Sequence, residues 1–120
     1  MNISQIKAQK LEDRMMVFAV SCIDLARNTS KTAENKVILN QLVRAASSVG
    51  ANYTEANNAI SKLDFRNKLY IAKKEAEESR YWLRLLGMSN PEVETAELVN
   101  ESTELLLILQ KSVSTLKNGN

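Results

Sequence analysis

Apolar residues recur at steps of three and four along most of the 120-residue chain. That period keeps one face of an α-helix dry. The first line is Leu11, Met15, Phe18, Cys22 and Leu25. Asn28-Thr29-Ser30-Lys31-Thr32 interrupts it with turn residues, and Thr32 can cap the next helix by accepting a first-turn amide. The second line is Ile38, Leu42, Ala45, Val49 and Ala56, with Gly50 inside it. An interior glycine costs about 1 kcal/mol relative to alanine, so Gly50 predicts close approach of another helix. Ser61-Lys62-Leu63-Asp64 reads as a capping box with Asp in place of Glu. Phe65, Leu69, Ala72, Ala76, Ser79, Leu83 and Leu86 follow at heptad spacing. Gly87 is then expected just past the helix end in a left-handed conformation. Asn90 and Pro91 suit the cap and first position of a fourth helix.

The pattern predicts helices over residues 11–28, 33–58, 62–86 and 91–116. Short connections imply antiparallel neighbours. The expected fold is all-α, an antiparallel up-down-up-down four-helix bundle forming one domain over residues 1–120.

A single buried stripe does not account for every apolar residue. At 100° per residue, Leu63, Tyr70, Tyr81, Leu85, Ile71 and Trp82 lie across the third helix from Phe65, Leu69, Ala76 and Leu83. The first helix has Met16, Val17, Val20 and Ile23 off its main line, and the fourth has Leu107 and Ile108. Aromatic-rich patches of this kind mark interfaces. The expected partner is a second copy, with Tyr70, Tyr81, Trp82 and Leu85 as interface residues.

Composition narrows the chemistry. There is no His, so a Ser-His-Asp triad, a Cys-His pair and a His-ligated metal are excluded within one chain. The single Cys22 falls on the apolar line of the first helix and reads as a small buried residue. The three glycines are scattered and form no phosphate-binding loop. The carboxylate pairs Glu75/Glu78, Glu94/Glu97 and Glu101/Glu104 have the spacing of ligands in carboxylate bundles, but the accompanying His is missing. Salt-bridged or solvated faces explain them better. No catalytic, cofactor-binding or metal-ligating residue is expected. The run Leu105–Leu109 is far shorter than the roughly 20 residues that span a bilayer. Met1–Lys7 has no apolar signal core. A cytoplasmic protein with no membrane partner is expected.

Charge is unevenly placed. Net charge is +2, but residues 1–84 carry 14 Lys/Arg against 9 Asp/Glu, and residues 85–120 carry 2 against 5. Acids early and lysines late in the fourth helix suit the helix dipole. Arg44, Ser48, Asn52 and Glu55 form a polar seam along the second helix. Asn52 is expected to find partners on the third helix, such as Glu75, Glu78 or Ser79. Lys62, Arg66, Lys73, Arg80 and Arg84 lie within about 40° on the third helix. Such a ridge is either a solvated flank paired with neighbouring acids or a surface for nucleic-acid phosphates.

Three stretches resemble the bacterial four-helix bundle proteins encoded in intervening sequences of 23S ribosomal RNA genes, also labelled S23 ribosomal proteins. They are Arg44–Ala56, Ser61–Phe65 and Ile71–Leu86. The resemblance spans about Leu11 to Leu116. It implies a four-helix protomer that assembles as a homopentamer. Related proteins are nucleic-acid-binding accessory factors to the reverse transcriptases of diversity-generating retroelements. This chain is less basic than those relatives. Many members have Gly where Ala56 follows Glu55, so the second helix is expected to continue further. The resemblance brings no catalytic residues. The expected role is a non-enzymatic oligomeric bundle contacting RNA or DNA. The alternative is a protein-interaction adaptor without nucleic-acid binding. Its partner would be encoded nearby, a reverse transcriptase being one candidate.

Overall fold

A computed structural model describes the backbone of residues 1–118 and the side chains of residues 1–116. Four helices run α1 Ile3–Asn28, α2 Ala33–Asn57, α3 Lys62–Ser89 and α4 Ala96–Asn118. Each consecutive pair packs together, and α4 returns to α1. Cross-helix pairs such as Glu12 with Asn57 and Glu55 with Lys68 fix the antiparallel sense. The bundle measures 47 × 26 × 21 Å. No described helix is long and apolar enough to cross a membrane.

The caps follow local chemistry. Thr32 accepts from Asn35 N at 3.1 Å, and Ser61 accepts from Asp64 N at 3.0 Å. α1 begins at Ile3 rather than residue 11, because Asn2 and Gln5 form a reciprocal capping box. Its first turns are exposed, so they carry no apolar line that periodicity could detect.

α3 continues through Gly87 to Ser89. Gly87 therefore does not end the helix in a left-handed turn. A Cβ there would overlap Thr95 Oγ1, so glycine lets the start of α4 press against α3. Asn90 caps the end of α3 instead of starting α4. Its side chain exchanges two 2.9 Å hydrogen bonds with buried Asn35. Pro91 starts no helix. Val93 N bonds Asn90 O at 2.8 Å, and Val93 packs on the Ile38–Leu39–Leu86 cluster. That contact draws residues 91–95 across the bundle end, and α4 begins five residues later than the sequence pattern predicts, at Ala96. Replacing Gly87 with Ala is expected to cost about 1–3 kcal/mol. Urea unfolding should show much of this loss recovered when Thr95→Ala is added.

The main core joins Met15, Phe18 and Cys22 of α1 to Leu42 and Val49 of α2, Leu69 and Leu83 of α3, and Leu105 and Leu109 of α4. Small buried residues, Ala45 and Ala46 on α2 with Ala72 and Ala76 on α3, let these two helices approach closely. The Gly50 expectation holds, since a Cβ there would stand 3.1 Å from Met15 Cβ.

Candidate interaction surfaces

The polar seam is largely a set of ion pairs between α2 and α3. Arg44 Nη1 bonds Glu75 Oε2 at 2.8 Å, and Nη2 bonds Glu78. The Glu78 hydrogen bond, with Glu75 adding to it, holds the Arg44 guanidinium above its ordinary pKa despite partial desolvation. Lys68 Nζ meets Glu55 at 3.0 Å, and that hydrogen bond raises the lysine pKa. Ser48 donates to Arg44 O at 2.7 Å. Asn52 does not reach α3. Its amide donates to Ser48 O at 2.8 Å, one turn back on its own helix. Half-exposed Asn52 does not need a cross-helix partner. Ser79 likewise bonds Glu75 O at 2.8 Å within α3.

Beside this seam, α2 and α3 form an open groove of about 760 Å³. Arg44, Glu75 and Glu78 line it together with Val37, Ile71, Tyr81 and Trp82. Val37, Tyr81 and Ile71 are 62%, 59% and 41% exposed. Tyr81 and Trp82 meet edge-to-face with centroids 5.1 Å apart. The predicted interface residues thus divide. Tyr81 is free to meet a partner, whereas Trp82 and Leu85 already pack partly against the protomer's own core. Tyr70 is exposed but does not line the groove. Sequence reasoning missed Val37, Gln41 and Lys74 as lining residues. The available signal was Val37, an apolar residue off the buried line of α2.

The basic ridge lies along another side of α3, over about 33 Å. Lys73 pairs with Glu77 at 3.4 Å. Among the described residues, Lys62, Arg66, Arg80 and Arg84 have no ion-pair partner. The Arg80 Nε is buried and has no hydrogen-bond acceptor. Two acids of α4 are engaged elsewhere. Glu101 takes two hydrogen bonds from Arg14 of α1, at 2.7 and 2.8 Å, and Glu104 stands 3.4 Å from the same guanidinium. This pairing raises the Arg14 pKa.

No group of three or more His, Cys, Asp or Glu that could hold a metal occurs among the described residues. Cys22 is fully buried, and desolvation pushes its thiol up to about 12. A neutral, enclosed thiol reacts slowly. In native protein near neutral pH, a thiol-exchange reagent should label Cys22 at least about tenfold more slowly than in urea-unfolded protein. Equal rates would mean that the core opens readily at α1.

Comparison with known proteins adds a family. No curated protein matches the chain. A solved crystal structure from Bacteroides thetaiotaomicron, described as a protein with unknown function from the S23 ribosomal protein family, has the same fold with a TM-score of 0.81. Sequence identity is 35%, over 91% of this chain and 99% of that one. The family model for the 23S rRNA-intervening sequence protein matches residues 7–111. With four helices in the same arrangement and a match across most of its length, the chain belongs to the 23S rRNA-intervening sequence protein family.

Proposed function

We propose that this protein is a non-enzymatic, cytoplasmic bundle that works as a homo-oligomer and contacts RNA or DNA phosphates through the basic ridge of α3. The observation that carries this reading is that Lys62, Arg66, Arg80 and Arg84 have no ion-pair partner among the described residues. A solvated flank built for stability would draw acids from its neighbours, but α4 directs Glu101 and Glu104 to Arg14. Phosphate contacts of this kind are sequence-independent and sensitive to salt. One ridge binds weakly, and repetition around an oligomer raises avidity. The family resemblance sets the expected oligomer at five copies. Genomic proximity to a 23S rRNA gene or a reverse transcriptase gene would indicate the physiological nucleic acid.

The triple variant Arg66→Glu, Lys73→Glu and Arg80→Glu is expected to lose at least about 100-fold in RNA affinity at low salt. Its oligomeric mass should be unchanged. A gel shift with structured ribosomal RNA measures the first, and light scattering the second. If the wild type gives no salt-sensitive shift, the nucleic-acid reading fails.

The exposed aromatic groove of α2 and α3 favours one second reading, a protein-interaction adaptor without nucleic-acid binding. Capture of a neighbouring gene product from the native host, undiminished by nuclease, would support it. Loss of that product after nuclease treatment would favour the ridge.

A further inference from the structure

The four ridge cations that have no ion-pair partner among the described residues fall into two pairs. Lys62 and Arg66 stand one turn apart at the start of α3, and Arg80 and Arg84 stand one turn apart towards its end. The centres of the two pairs are about 27 Å apart along the helix. Lys73 lies midway between them, and Glu77 holds it at 3.4 Å. The ridge thus presents two cationic points with a partly neutralised middle. We propose that it binds duplex nucleic acid in preference to single strands, each pair meeting the phosphate backbone about one duplex turn from the other. This rests on the nucleic-acid reading above and names the form of its target.

Rigidity, charge density and the placing of the aromatic residues favour a duplex. α3 is one unbroken helix packed on α2 and α4, so its two pairs stay a fixed distance apart. A duplex laid along it brings the same strand back once per turn, roughly 34 Å in B-form DNA. An A-form turn is shorter, and the long Lys and Arg side chains span the difference. A duplex also carries one charge per about 1.7 Å of its axis, so phosphates face both pairs at once. A single strand must be straightened along the ridge, which costs conformational entropy. Proteins that hold single strands offset that cost by stacking successive bases on aromatic rings. The ridge carries no aromatic residue. Tyr70 lies about 60° round the helix from its centre, and Tyr81 meets Trp82 and lines the α2–α3 groove.

Fluorescence anisotropy at low salt tests this on the full chain. The first probes are a U-rich RNA single strand, an RNA duplex and a DNA duplex, each about 20 residues long, or roughly two turns. Both duplexes should bind at least about tenfold tighter than the single strand. Either order between the two duplexes supports the proposal, and the tighter one identifies RNA or DNA as the source. The second probes are GC-rich RNA hairpins with stems of about 6 and about 14 base pairs, below and above one turn. The longer stem should bind at least about tenfold tighter, because only it reaches both pairs. The variant Lys62→Gln with Arg66→Gln removes one pair, and circular dichroism should show it folded. Its two stems should bind within about twofold of each other. A single strand that binds as tightly as the duplexes would overturn the proposal. So would a variant that keeps the full difference between the stems. Absence of salt-sensitive binding to every probe would instead overturn the nucleic-acid reading itself.

Discussion

Replacing Phe18 with alanine is expected to lower the unfolding free energy by about 3–5 kcal/mol. Phe18 is 1% exposed and leads the fully buried side chains by volume. Truncation removes its transfer free energy and leaves a cavity that rigid neighbouring helices fill only in part. The location compounds the loss. Only Met15, Phe18 and Cys22 are buried on α1, and α1 meets α4 along the thinnest of the four helix seams. Domains of this size are stable by about 5–15 kcal/mol, so the variant should sit near the edge of folding at 37 °C. Ile3→Ala is the control, since Ile3 is exposed on the same helix. It should change stability by less than about 0.5 kcal/mol. Urea titrations followed by circular dichroism measure both. A loss below 1 kcal/mol for Phe18→Ala would mean that α1 is not seated by this ring.

Removing the Arg44 guanidinium should also destabilise the bundle. Arg44→Met is expected to cost about 1–3 kcal/mol. The Glu75 side chain is only 9% exposed, so the variant leaves a carboxylate with little access to water. Arg44 itself is 47% exposed, and water entering its place limits the penalty below that of a fully enclosed pair. Glu78 is 35% exposed and can turn to solvent. The double variant Arg44→Met with Glu75→Met should regain most of the loss, because it removes the stranded charge as well as its partner. A single variant as stable as the wild type would show that the pair contributes specificity of register rather than stability. In that case the double variant would show no recovery.

The helices were legible in sequence where an apolar line accompanied them. The interior of α2 and the long body of α3 agree with their periodicity, and Thr32 and Ser61 act as the caps their chemistry implies. Misreadings fell at ends where a local signal had two meanings. Gly87 can end a helix or admit a neighbour, and contact with Thr95 selects the second. Asn90 can begin a helix or end one, and its bonds to Asn35 select the end. The partner in each case lies on another helix, so no local window contains it. The ridge Lys62, Arg66, Lys73, Arg80 and Arg84 was fully visible as a pattern on α3. Whether neighbouring acids would neutralise it was not visible, because that depends on which way α4 points Glu101 and Glu104.

The sequence by itself determined the number of helices, their order and their buried faces. Hydrophobic spacing and scarce helix breakers are local properties, and short connections leave adjacent helices little choice but to run antiparallel. The absence of His was equally decisive, since it removes whole classes of chemistry before any folding. Only the tertiary structure decided which polar residues became partners. It tied Arg44 to Glu75 and Glu78, turned Asn52 back on its own helix, and left four cations of the α3 ridge without acids among the described residues. It also left Met16, Val17 and Val20 exposed on α1, apart from the groove between α2 and α3. Pairing and surface shape depend on the rotation and depth of helices against one another, and residues far apart in sequence jointly set both.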